Sequence, residues 1–175
     1  MKKQENSYSL WLRPSQTQID ELTRIISGLS HRYRTTPFPP HITLLSNITA
    51  PINAVEKACR KIIERHQAFD IELKEIAYTK DYYRNLYILA KTETLLTSLY
   101  EDCKTTLSKV TDDTFMPHLS LLYGKLDAKK QQALQKELNG SYAKTCSCQR
   151  LDIFNTTKKT SEWHLVNSYY LSKSE

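Results

Sequence analysis

Phe38-Pro39-Pro40-His41-Ile42-Thr43-Leu44-Leu45 returns later in the chain as Phe115-Met116-Pro117-His118-Leu119-Ser120-Leu121-Leu122. Aligned without gaps, the windows share the Phe, the Pro before the His, the His and both leucines, with a hydroxyl residue two places after each His. Proline biases the chain before it toward extended backbone, and the apolar run that follows has strand length, so each His is placed near the start of a β-strand. Residues i and i+2 of a strand face the same side, which pairs His41 with Thr43 and His118 with Ser120. A single His of this kind reads as structural. Its duplication, with the hydroxyl in register both times, reads as a site.

Two imidazoles and two hydroxyls converging on one cleft suit a cyclic phosphodiester. One neutral His takes a proton from water, one protonated His gives a proton to the departing alkoxide, and the hydroxyls donate hydrogen bonds to the non-bridging phosphate oxygens. Histidine serves both tasks because its ordinary pKa of about 6.5 makes either form accessible near neutrality. The residues alone leave open which His is acid and which is base.

These motifs resemble those of the two-histidine (2H) phosphoesterase superfamily, whose signature is a pair of His-x-Thr/Ser motifs. The run Phe115 to Tyr123 and the segment Tyr8-Ser9-Leu10-Trp11-Leu12-Arg13-Pro14 are similar to its cyclic phosphodiesterase branch from plants and yeast. That resemblance implies an α+β fold of two pseudo-symmetric lobes, each an antiparallel sheet backed by helices, with the active cleft between them. It implies hydrolysis of ADP-ribose 1″,2″-cyclic phosphate or a 2′,3′-cyclic nucleotide, with His41 and His118 catalytic and Thr43 and Ser120 holding phosphate. It further implies that His118 activates water and His41 protonates the leaving oxygen. Tyr123, Trp11 and Tyr83 are candidate substrate contacts: Tyr123 by its place three residues after Ser120, Trp11 by its flat face, and Tyr83 by its turn, where a tyrosine can stack on a base. Trp11 has an equally good reading as a core residue. The motif offers hydroxyls where a metal site would need a carboxylate, Cys or a third His, so no metal and no cofactor is expected.

The chain has 175 residues, enough for a substantial core, and is read as a single bilobal domain over 1–175. With 25 Lys and Arg against 19 Asp and Glu it carries a net charge of +6, which favours phosphate-bearing ligands without proving them. A polar start and the absence of any run of membrane-spanning length point to a soluble, cytoplasmic monomer with no membrane partner. Four scattered cysteines make no disulfide scaffold, and the C-x-C of Cys146 and Cys148 indicates neither zinc nor redox chemistry. Two other functions compete. One is RNA end-processing or a 2′-5′ phosphodiesterase or ligase-like activity, disfavoured because the basic residues are dispersed. The other is an idle nucleotide-binding module, disfavoured because all four motif side chains are intact.

Periodicity predicts strands over 8–12, from His41 to about 45, over 69–78 with an irregularity near Glu75, over 86–90, around the second His up to Gly124, and over 143–154 and 163–171. It predicts helices from a Ser15 or Thr17 cap to about Ser30, from a Thr49 cap with Pro51 in its first turn to about His66, over 94–107, and from an Asp127 cap to about Leu138. His31–Arg34 reads as a solvated basic connector, His66 as a helix-end cap, 111–114 as a loop, and 156–160 as a solvated basic turn. His118 lies 77 residues after His41, which suggests one βα-type lobe per motif.

Overall fold

The computed structural model describes residues 6–108 and 114–173, so most of the loop expected over 111–114 lies outside the described residues. In chain order the elements are β1 (Tyr8–Pro14), α1 (Gln16–Tyr33), β2 (Ile42–Ile48), α2 (Ile52–Ile63), β3 (Phe69–Ala77), β4 (Leu86–Ala90), α3 (Thr94–Thr106), β5 (His118–Leu122), α4 (Ala128–Leu138), β6 (Thr145–Asn155) and β7 (His164–Tyr170). The fold is α+β, as expected. Asp127 caps α4 through its side chain, which accepts from the Lys130 N–H at 2.9 Å. The irregularity in β3 falls between Leu73 and Ile76.

Two helix ends depart from the sequence pattern. α1 continues through the supposed connector to Tyr33, because Leu29 and Ser30 are buried and draw the next turn along. It closes on Arg34, whose φ of 54° is left-handed, with the Thr35 N–H reaching back 2.9 Å to the Ser30 carbonyl. His31–Arg34 is thus a helix terminus. α2 starts after Pro51 rather than Thr49 and stops at Ile63. His66 lies beyond it, its Nε2 2.9 Å from Asp102 of α3, an acid that also receives two hydrogen bonds from Arg65.

Strand pairing reveals how the two repeats are combined. β1–α1–β2–α2–β3 and β4–α3–β5–α4–β6 have the same element order, each with its His strand in the middle. The third strand of each unit leaves its own repeat: β3 pairs with β4, and β6 pairs with β1. One lobe therefore holds β2, β1, β6 and β7, and the other β5, β4 and β3. Each lobe thus holds one His motif, but a lobe is not a contiguous half of the chain. The antiparallel sheets of the lobes join through a pairing of Ile42 with Leu119 and through the start of β6, which also pairs with β3, giving one seven-stranded array. The helices cross as well, since α1 contacts β5 and α3 contacts β2. Ile42 and Leu119 are fully buried in the core. Burial of such side chains, worth roughly 1.5–3 kcal/mol each, anchors the His strands beneath the site.

Candidate active site

The Ile42–Leu119 pairing fixes the site. Continuing that antiparallel register by one residue in each direction sets His41 opposite Ser120 and Thr43 opposite His118. Because side chains alternate, all four motif residues share the face opposite the core-directed Ile42 and Leu119. There they line a cleft of about 720 Å³ together with Trp11 and Tyr123.

Each ring is oriented by its own backbone. Nδ1 of His41 lies 2.6 Å from the Pro39 carbonyl, and Nδ1 of His118 lies 2.9 Å from the Met116 carbonyl. A carbonyl only accepts, so Nδ1 carries the proton in both rings, and Nε2 is the nitrogen left for chemistry. The same i−2 bond forms at His164, which follows Trp163, so it belongs to the extended backbone before the ring and does not require the proline.

The neighbouring strands also correspond, with different residues. Trp11 of β1 sits opposite Thr43, and Tyr87 of β4 sits opposite Ser120. Trp11 stacks flat on His41, with ring centroids 3.6 Å apart and planes 7° apart, whereas Tyr87 meets His118 edge-on at 5.2 Å. The other face of Trp11 is covered by Phe154 at 3.8 Å, so both of its faces are occupied by protein. Under this cover His41 is 5 % exposed and its pKa is pushed down to about 3. Burial is the main cause, and the cations of Arg13 and His118 add to it against the Pro39 hydrogen bond. His118, only partly buried, is also lowered, first by burial and then by Arg84, while the Met116 carbonyl and Asp81 oppose the shift.

The hydroxyls differ too. The Ser120 hydroxyl donates to the Tyr83 carbonyl at 2.9 Å, whereas that of Thr43 bonds no protein group among the described residues. Tyr123 is buried, stacks on Phe38 at 3.5 Å, and has its phenol pKa raised by burial. Tyr83 is 50 % exposed at the cleft mouth.

Pattern reading missed Trp163, which faces Tyr83 across the mouth with centroids 6.0 Å apart and planes 20° apart. Its indole N–H is tied to the Lys158 carbonyl at 2.9 Å. The basic turn, though solvated at Lys158 and Lys159, thus brings Thr156 and Lys158 to the cleft rim. Nothing in the local sequence marks this, because the turn is brought there by β6. Arg13 and its buried partner Asp152 were missed for the same reason. Among the described residues no group of three or more His, Cys, Asp or Glu is arranged to hold a metal ion, and no helix is long and apolar enough to cross a membrane.

Comparison with known proteins gives consistent results. Residues 6–171 match the family model of the cyclic phosphodiesterase-like proteins. A cyclic phosphodiesterase of Arabidopsis thaliana is 21 % identical over 130 residues, covering 74 % of this chain and 72 % of the relative. Among solved structures, Escherichia coli LigT without ligand superposes with a TM-score of 0.63 at 11 % identity, over 98 % of this chain and all of LigT. LigT with 3′-AMP gives 0.61 at 10 % identity, over 97 % and 99 %. A Thermus thermophilus protein gives 0.62 at 12 % identity, over 97 % of this chain and all of that one. These structural likenesses establish the fold, and the family model spans nearly the whole chain. The chain therefore belongs to the cyclic phosphodiesterase-like protein family of the two-histidine phosphoesterases, and its class is that of a cyclic phosphodiesterase.

Proposed function

We propose that this protein hydrolyses a cyclic phosphate on a ribose, with 2′,3′-cyclic nucleotides or ADP-ribose 1″,2″-cyclic phosphate as substrate, using His41 and His118 without a metal ion. The observation that carries this reading is the Ile42–Leu119 register, which puts two Nε2-presenting imidazoles and two hydroxyls on one cleft face. The name of the Arabidopsis relative and the 3′-AMP in LigT are in keeping with a small nucleotide ligand. Water oxygen bonds to phosphorus while the bond to one ribose oxygen breaks. One His takes the water proton and the other supplies a proton to that oxygen, leaving a phosphomonoester and a free hydroxyl.

Burial beneath Trp11 holds His41 in the neutral form from which a general base must start, and the more open His118 is the more readily protonated of the two, so His41 is assigned as base and His118 as acid. This reverses the assignment implied by family resemblance. A pH profile cannot separate the two, since either assignment gives the same bell-shaped kcat/KM. A cyclic phosphorothiolate can, because its bridging sulfur leaves without needing a proton. It restores turnover to His118→Ala but not to His41→Ala; rescue of His41→Ala instead would return the base role to His118.

Substrate class is tested by measuring kcat/KM, with and without chelator, for 2′,3′-cyclic mononucleotides, ADP-ribose cyclic phosphate and an RNA oligomer ending in a cyclic phosphate. Small substrates should turn over best and chelator should change nothing. A tenfold preference for the oligomer that fades with salt would favour RNA processing. Loss of turnover restored by a divalent ion would replace the His pair with metal chemistry, and binding without turnover would leave an idle module.

A further inference from the structure

Beside the first histidine lies a buried ion-pair network that the acid-base chemistry above does not use. Arg13 of β1 and Asp152 of β6 have side chains 7 % and 1 % exposed, with Arg13 Nε 3.2 Å from Asp152 Oδ2. Asp152 also receives Arg150 Nε at 3.1 Å and the Ser168 hydroxyl at 2.7 Å. The Arg13 Nη1 donates to the Pro40 carbonyl, the peptide immediately before His41. We propose that Arg13, braced by Asp152, is a positioning residue for His41: it clamps the Pro40–His41 peptide and sets a buried cation on the adjoining strand, whereas the cation near the second histidine, Arg84, is on an exposed turn and paired with Asp81.

The asymmetry is written in the strand registers. Leu12 pairs with Ile42, so one step further along β1 places Arg13 opposite His41. In the other lobe Ile88 pairs with Leu119, and the residue opposite His118 is Leu89. The two repeats are alike in element order and in the Nδ1 bond, and at this position an arginine stands where the counterpart has a leucine.

Stability does not explain the arginine. Its buried Nε–H is near Asp152 but makes no hydrogen bond, and a buried ion pair is commonly no more stabilising than apolar side chains of similar size. Burial draws the Arg13 pKa down to about 10, opposed by Asp152, so the group is charged at neutral pH. The charged groups acting on His41 are Arg13 on β1 and His118 on β5, while Asp152 and Arg150 on β6 act in turn on Arg13. Asp152 is shared between two arginines and offsets Arg13 only in part. Protonating His41 in the empty cleft would therefore place two cations together in a low-dielectric site, and that cost falls when an anionic phosphate enters.

The proposal rests on His41 being one of the acid-base pair, and its test separates the two ideas. Arg13→Met keeps the side-chain length and removes the charge and the clamp. Arg13→Lys keeps the charge, but its single ammonium cannot serve Pro40 and Asp152 as the two edges of a guanidinium do. The imidazoles of both variants are titrated by NMR without ligand, and kcat/KM is measured against pH. Arg13→Met should raise the His41 midpoint by about half a pH unit or more, leave that of His118 in place, and move the lower limb of the kcat/KM bell with it. Arg13→Lys should return the midpoint to its original position while kcat stays about severalfold low. An unmoved His41 midpoint in Arg13→Met, or equal movement of both histidines, would overturn the charge role. Undiminished kcat in Arg13→Lys would overturn the clamp, and this second measurement stands even if Arg13→Met does not fold. If the cyclic phosphodiesterase reading were wrong, the NMR shift would still appear with no turnover to accompany it.

Discussion

His41 lies immediately before β2 and His118 begins β5, and both bond the carbonyl two residues back in the same way, yet their surroundings differ. The first is sealed under Trp11 and flanked by Arg13; the second is half open beside Tyr87, Leu89, Arg84 and Asp81. A duplicated motif supplies two copies of one chemical group, whereas acid-base catalysis needs two different protonation states. The difference is made by neighbours contributed from other strands. The unlike neighbours thus come from β1, from β4 and the turn before it, and from β6 rather than from the repeated segments themselves.

Removing either histidine tests whether both halves are required. His41→Ala and His118→Ala should each lower kcat/KM on the order of 10²-fold to 10⁴-fold, the usual contribution of a general acid or base. Near-normal turnover by either variant would break the pairing.

The hydroxyls sharpen the comparison at smaller scale. Thr43, whose hydroxyl is available, should act on phosphate directly, so Thr43→Ala should cost roughly 1.5 to 3 kcal/mol in the rate-determining barrier. Ser120 spends its proton on the Tyr83 carbonyl, so Ser120→Ala should lower kcat less than about tenfold and raise KM by loosening the turn that carries Tyr83. Equal losses of kcat in the two variants would show that the Ser120 hydroxyl changes partner when phosphate binds.

The smallest effect concerns acid stability. The folded pKa of His41 lies below its unfolded value, so between about 3 and about 6.5 the unfolded chain binds the additional proton. The stability from a neutral buried His41 is complete above about 6.5 and is lost as the pH falls below it. Going from pH 7 to 5.5 should remove about 1 kcal/mol through this residue. Denaturant unfolding of His41→Gln should show a shallower pH slope than the parent protein over that range; an identical slope would place the acid sensitivity elsewhere.

Local sequence determined a good deal of this protein. The proline before each His, the apolar run after it and the alternation of side chains were enough to place His41, Thr43, His118 and Ser120 on strands with their chemistry paired. Asp127 announced a helix start, and the broken alternation near Glu75 announced the irregular strand. These features depend on backbone preferences acting over a few residues. Pattern could not say which strand β3 or β6 would join, because alternation specifies a buried face and not a partner. Each crosses into the other repeat, and β6 brings Asp152 to Arg13 and, through the turn that follows it, Trp163 to Tyr83. What distinguishes the two histidines was therefore decided by tertiary structure: Coulomb energy and desolvation depend on distance in space, and Arg13, 28 positions before His41, is held beside it by Asp152, 139 positions after Arg13 in the chain.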